Sequence, residues 1–221
     1  MISLAFGTPV IAGFAVAHEK WCLTSIYTDI RVHPWAEHGW TGGWAWAYWA
    51  VSIPVYMLIW DFWFYLLHLV LHTEPVYSLS HANHHAFKPP VAWSGIAIDP
   101  IEQFFSGIFP YTLPLFTPIV FRGAWTMLPF HIYTVYAINV TLVAWALFLH
   151  SSSTWEGTWL FMGPVYHNMH HSAGIRNGNY GAIFKVYDRL FGTLRETADG
   201  RAVKAPWAEE EHRAAGKVKS G

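Results

Sequence analysis

The sequence predicts an all-α fold: an integral membrane helical bundle of about three to four transmembrane helices, two of them forming a kinked hairpin, with a polar, histidine-rich cap on the cytosolic side. Three observations carry this expectation. Of the 221 residues, 53% are hydrophobic, only 12% are charged, and 14 are tryptophan. Uncharged apolar runs of bilayer-crossing length recur along the chain. Histidines gather in ordered motifs where those runs end. A mean hydropathy of only +0.24 agrees with a sizeable part of the chain lying outside lipid.

Residues 1–42 form an N-terminal apolar segment and loop. The stretch 2–17 lacks the positive flank of a secretory signal, and reads equally as a short membrane segment or an interfacial helix. Residues 19–42 are polar and turn-rich. His18, His33 and His38 stand at no ligand spacing and are expected at the surface.

The membrane domain is expected over 43–197. Gly43 to Trp60 is uncharged and about 27 Å long as a helix, close to one crossing. The helical pattern continues to His72 and Pro75 ends it. On that helix His68 and His72 lie one turn apart on one face, and Asp61, two turns earlier, falls near the same line. His81-Ala82-Asn83-His84-His85 follows, and His167-Asn168-Met169-His170-His171 repeats its pattern. Ionisable clusters at a membrane edge are costly and point to function.

Between these motifs the apolar run Phe104 to Phe121 carries Pro110, Pro114 and Pro118, so a straight helix is not expected. Arg122-Gly123 reads as a turn into the run Ala124 to Leu149. Two crossings return the chain to its starting side, where His150 and the third motif meet the first two. His131, inside the last run, is expected to pack between helices or line a tunnel. Lys88, Arg176, Lys185, Arg189 and Arg195 all lie on the motif side and only Arg122 on the other, which makes the motif side cytoplasmic. Residues 198–221 read as a polar, disordered tail, and His212 has no assigned role.

With a formal net charge of −1 and no basic block, nothing points to nucleic acid. The lone Cys22 excludes an intramolecular disulfide and a thiolate zinc cluster. Nine histidines remain as metal ligands, His68, His72, His81, His84, His85, His150, His167, His170 and His171, enough for two ions. Imidazole suits zinc, copper, iron or nickel, and a site facing an apolar interior favours redox-capable iron over zinc. Asp61 and Asp99 are expected to accept imidazole N–H groups behind the ligands. A bis-histidine haem electron carrier is the alternative from another class.

The motifs HLVLH (68 to 72), HANHH (81 to 85) and HNMHH (167 to 171), followed by NYGAIFKVYDRLFGT (179 to 193), resemble the fatty acid hydroxylase/sterol desaturase superfamily. Asn179, Tyr180, Gly181, Asp188, Arg189 and Gly192 carry the more specific half of the match. Read by residues alone, this segment is a helix cap with Asp188 and Arg189 pairing at the surface. The spacing through DPIEQFF to His150 is most similar to the sterol C-5 desaturase (lathosterol oxidase) branch. That branch usually has His-Pro at Asp99-Pro100 and tryptophan at Tyr187.

The resemblance implies a di-iron centre, dioxygen as co-substrate, and electrons from NAD(P)H through a membrane cytochrome b and its reductase. It implies a lipid substrate within the bilayer, a sterol or, alternatively, a fatty-acyl or sphingolipid chain. The implied location is the endoplasmic reticulum membrane in a eukaryote and the cytoplasmic membrane in a bacterium.

Overall fold

The longest element is α1, Gly43–Leu71, which in the computed structural model is one continuous helix of 29 residues. At about 1.5 Å per residue it spans about 44 Å, so the apolar run and His68 share one rod, and His72 follows its last residue with its N–H bonded to the His68 carbonyl at 3.1 Å. Pro54 sits inside it without breaking it. A proline there has no N–H for the preceding turn, a loss that membrane helices tolerate. Two residues earlier the Ser52 hydroxyl donates to the Trp49 carbonyl at 2.7 Å.

The structure describes residues 42–108, 130–172 and 178–196, together with Val16, Ile26, Tyr27 and Pro110. The apolar segment 2–17 apart from Val16, the histidines at 18, 33 and 38, the hairpin tip at Arg122, most of its proline-broken limb, Arg176, and the tail with His212 lie outside the described residues.

After α1 the chain makes short, tight turns: a π-helical turn Tyr77–His81 and 3-10 turns His84–Ala86 and Ala92–Ile96. A single α-turn, Pro100–Glu102, opens a π-helical stretch, Gln103–Ile108. The second long helix, α2, is Ile132–Leu149. α3, Pro164–Ser172, carries the third histidine motif, and α4 is Val186–Leu190. Among the described residues the only paired strands are two residues each, β1 (Ile26–Tyr27) and β2 (Phe130–His131), parallel to each other.

β2 corrects one expectation. His131 belongs to the strand, not to the helix of the last apolar run, which starts one residue later. It is buried, and its Nδ1 accepts the Tyr133 N–H at 3.1 Å, so it caps the start of α2.

Among the described residues two helices, α1 and α2, are long and apolar enough to cross a membrane. Both leave large apolar side chains uncovered, among them Trp44, Trp46 and Val51 on α1 and Tyr133 and Val140 on α2. Lipid tails would solvate such side chains, whereas water would not.

The chain divides into two compact units. The first falls within Met1–Phe64 and Gln103–Ala144, the second within Tyr65–Glu102 and Trp145–Gly221. In the first, Tyr56 and Phe130 meet edge to face at 4.8 Å. In the second, Leu149, Met162, Tyr166 and Met169 form the apolar core, with Trp145, Val165 and Leu194 packed against it. The second unit holds every histidine of the three motifs, and His150.

Candidate metal centre

The nine imidazoles divide into two groups. His68, His72, His81, His85 and His170 form one, and His84, His150, His167 and His171 the other. Within each, the candidate ligand atoms all lie within 4.8 Å of one another, and every one of the nine side chains is buried. These are the nine histidines expected from the sequence.

Local geometry explains the division. On α3, His167 and His171 are four residues apart and share a face, while His170 is turned about 100° from His171. Accordingly His167 and His171 enter the four-histidine group and His170 the five-histidine group. The second motif does the reverse. His81 and His85 join the larger group, and His84, one residue away in a 3-10 turn, points to the smaller. Each HxxHH motif therefore sends its outer pair to one group and its middle histidine to the other, so the two groups are stitched together through shared backbone.

The Nε2 atoms face inward. In the larger group His81 Nε2 lies 3.2 Å from that of His68, 3.1 Å from that of His72 and 3.0 Å from that of His85. His72 and His170 stand 3.1 Å apart. In the smaller group His150 Nε2 is 3.2 Å from His84 Nε2 and 3.0 Å from those of His167 and His171.

Three rings have a fixed tautomer. A carbonyl oxygen can only accept, so each ring nitrogen beside one carries the proton. His68 Nδ1 donates to the Tyr180 carbonyl at 2.8 Å, His170 Nδ1 to Gly178 at 2.9 Å, and His150 Nδ1 to Ala146 at 2.7 Å. Their Nε2 atoms are left as bare lone pairs aimed at the group centres. His81 Nδ1 lies 2.9 Å from the buried carboxylate of Glu102.

Burial, reinforced by neighbouring imidazoles, holds His81, His84, His167, His170 and His171 well below the ordinary histidine value. It brings His85 down to about 3 and His150 to about 4, the Ala146 carbonyl opposing the shift at His150. These seven rings are therefore neutral near pH 7. Lone pairs converging at 3.0–3.2 Å repel unless a cation lies among them, since one proton can bridge only one pair. Metal–nitrogen bonds of about 2.1 Å set at right angles place two nitrogens about 3.0 Å apart. The donor set thus fits a metal ion in each group.

The segment after α3 builds the cradle. Asn179 takes a left-handed backbone, φ 57°, which asparagine tolerates better than most residues. Its amide nitrogen donates to the Tyr166 carbonyl at 3.2 Å, and its amide oxygen accepts the Arg195 N–H at 2.8 Å. Asp188, fully buried, accepts the Tyr180 and Gly181 N–H groups, each at 2.8 Å, and the Thr193 hydroxyl at 2.7 Å. Burial pushes its carboxyl up while these hydrogen bonds pull it back. The carbonyls that hold His68 and His170 are in this way tied to Asp188 and Asn179.

The surface pairing of Asp188 with Arg189 is not what the structure has. Asp188 faces inward to the Tyr180-Gly181 backbone, and the Arg189 guanidinium donates to the Trp159 carbonyl. Gly192 adopts φ 71° at the turn that brings Thr193 back to Asp188.

The fatty acid hydroxylase family model matches residues 53–193. The chain belongs to this family. Delta(7)-sterol 5(6)-desaturase of Candida albicans is 32% identical over 172 residues, which cover 77% of this chain and 40% of that protein. The Delta(7)-sterol-C5(6)-desaturase of Nicotiana tabacum is 26% identical over 211 residues, covering 86% of this chain and 73% of the relative. The Delta(7)-sterol 5(6)-desaturase of Leptosphaeria maculans is 26% identical, with 86% of this chain and 48% of its own length covered. The chain thus spans about 40% of the length of the Candida relative. No solved structure matches.

Of the two acids expected behind the ligands, Asp61 is fully buried on α1, but the His68 N–H goes to Tyr180. Asp99 Oδ1 accepts the Ile101 N–H at 2.9 Å and so caps the turn Pro100–Glu102. Among the described residues Glu102, which sequence reasoning passed over, stands beside an imidazole, that of His81. The available signal was Asp99-Pro100, a helix start that fixes where a glutamate two residues on will point. Gly95 was also passed over. A Cβ there would lie 2.7 Å from the Ala146 carbonyl oxygen and 2.8 Å from His150 Nδ1.

Proposed function

We propose that this chain is the membrane catalytic domain of a non-haem di-iron oxidoreductase that uses dioxygen to desaturate or hydroxylate a lipid, with a sterol, C-5 desaturase-like, as its substrate. The observation that carries the reading is the pair of buried, all-imidazole groups in a chain of this family. The sterol is supplied by the similarity to Delta(7)-sterol desaturases.

In this reading the five-histidine group holds one iron and the four-histidine group the other. Together the two ions would supply activation of dioxygen and the power to oxidise an unactivated C–H bond. The protein's part is to present Nε2 lone pairs in fixed directions. The carbonyls of Tyr180, Gly178 and Ala146 do this by holding the opposite ring nitrogens. Burial of all nine rings keeps water from the reacting carbon. The uncovered apolar faces of α1 and α2 lie in the bilayer and admit a lipid. Asp61, buried seven residues before His68 on α1, serves as a further acceptor behind the ligands.

Electrons reach the centre from NAD(P)H through a membrane cytochrome b and its reductase, and the motif side faces the cytoplasm. In a eukaryote the membrane is the endoplasmic reticulum, in a bacterium the cytoplasmic membrane. A fatty-acyl or sphingolipid hydroxylase would use the same centre. A haem carrier would not. Axial ligands stand on opposite faces of a macrocycle, whereas these nitrogens converge to 3.0–3.2 Å.

The test supplies purified protein with reductant, dioxygen and either a Δ7 sterol or an acyl lipid, beside His170→Ala and His171→Ala. A new sterol double bond that requires dioxygen and both histidines is expected. Product formed without dioxygen, or by the variants, would overturn the oxidase reading. A hydroxylated acyl chain in place of the sterol product would overturn only the choice of substrate.

A further inference from the structure

The two groups are unequal in more than number. Glu102 and His81 are 3% and 2% exposed, and Glu102 Oε1 lies 2.9 Å from His81 Nδ1. His81 is the ring whose Nε2 meets three others, those of His68, His72 and His85. The ring-nitrogen acceptors identified at His68, His170 and His150 are neutral backbone carbonyls.

We infer that Glu102 is a positioning residue that fixes His81 as an Nε2 ligand and makes the five-histidine group the tighter of the two metal sites. This rests on the two-metal reading and deepens it. A carboxylate can accept the Nδ1 proton and cannot compete for the Nε2 lone pair, so it sets the tautomer and raises the basicity of the ligating nitrogen. A carbonyl fixes direction as well but brings only a dipole. Placed behind the hub of one group, a carboxylate favours a dication there over a dication in the other.

Glu102 is held in place for this. Asp99 caps the turn that carries it. That turn packs against the π-helical turn Tyr77–His81, which ends in His81 itself.

The experiment uses the full chain in detergent, loaded with ferrous ion, then challenged with increasing chelator while bound iron is counted. The parent is expected to lose its two ions in separate steps. In Glu102→Ala the tightly held ion should leave at about 10- to 100-fold lower chelator, the size of loss usual for such partners, while the other step stays put. Glu102→Gln keeps the shape without the charge and should show the same displacement. Cobalt(II) absorption, read on the same variants, reports which coordination environment empties first. A residue needed only for folding would lose both ions together. That result, or unchanged release profiles in both variants, would overturn the inference while leaving the two-metal reading intact. A parent that binds fewer than two ions would overturn both.

Discussion

His68 Nδ1 donates to the Tyr180 carbonyl at 2.8 Å, joining residues 112 apart in the chain. This one bond ties the end of α1 to the segment that follows the third histidine motif. It explains how a conspicuous stretch outside the histidine motifs bears on the histidine groups. Tyr180 also packs its ring against His68, His72 and His170, with centroids 5.2 to 5.7 Å apart.

Asp188→Ala should therefore disturb the centre from a distance. The change removes the acceptor for two buried N–H groups and one hydroxyl. Leaving such donors unsatisfied costs about 1–3 kcal/mol each, so a loss of about 3–5 kcal/mol is expected. Thermal unfolding in detergent should show it, and iron retention should fall although no ligand has changed. Asp188→Asn, which keeps an acceptor for part of the set, should lose less.

Gly95→Ala should act on the four-histidine group alone. Its methyl would meet the Ala146 carbonyl and His150 Nδ1 at under 3 Å, prising apart the bond that directs His150. Elemental analysis should find about one iron per chain in place of two, with the five-histidine group still loaded. Loss of both ions, or of neither, would contradict the assignment.

Lys185 gives a pH dependence with a definite sign. Burial, with Arg189 adding to it, lowers its pKa from the ordinary lysine value to about 8. Its ammonium lies 3.6 Å from the centre of the Tyr166 ring and donates to the Glu156 carbonyl at 3.2 Å. Above pH 8 the unfolded chain holds this proton more firmly than the native protein does, so its contribution to stability rises with pH from about 8 toward 10. Tyr166 then opposes it. Burial pushes that phenol up to about 12, so the unfolded chain loses its proton first and stability falls from about pH 10. In Lys185→Met the rise between pH 8 and 10 should flatten, as read by melting temperature across a pH series.

The proposed topology is open to labelling. In a Cys22→Ala background, a cysteine introduced beside Lys88 should react with an impermeant reagent from the cytoplasmic side. One beside Arg122 should react only from the opposite side. Labelling of both from one side would break the even count of crossings.

The sequence by itself determined which nine histidines gather, the first long helix and the family. Histidine spacing and apolar run length are properties of local chain geometry, and helical periodicity alone places His68 with His72 and His167 with His171. The tertiary structure decided how nine rings divide into five and four, because that depends on which faces of α1, α3 and the intervening turns meet. It also decided what stands behind each ring. Backbone carbonyls at Tyr180, Gly178 and Ala146 carry no side-chain signature, since every residue has one. Asp99 Oδ1 is engaged by the backbone of the turn it begins, and Glu102, three residues on, lies beside His81. A short acidic side chain beside proline satisfies its own turn first, and the glutamate that follows is left to reach the histidine.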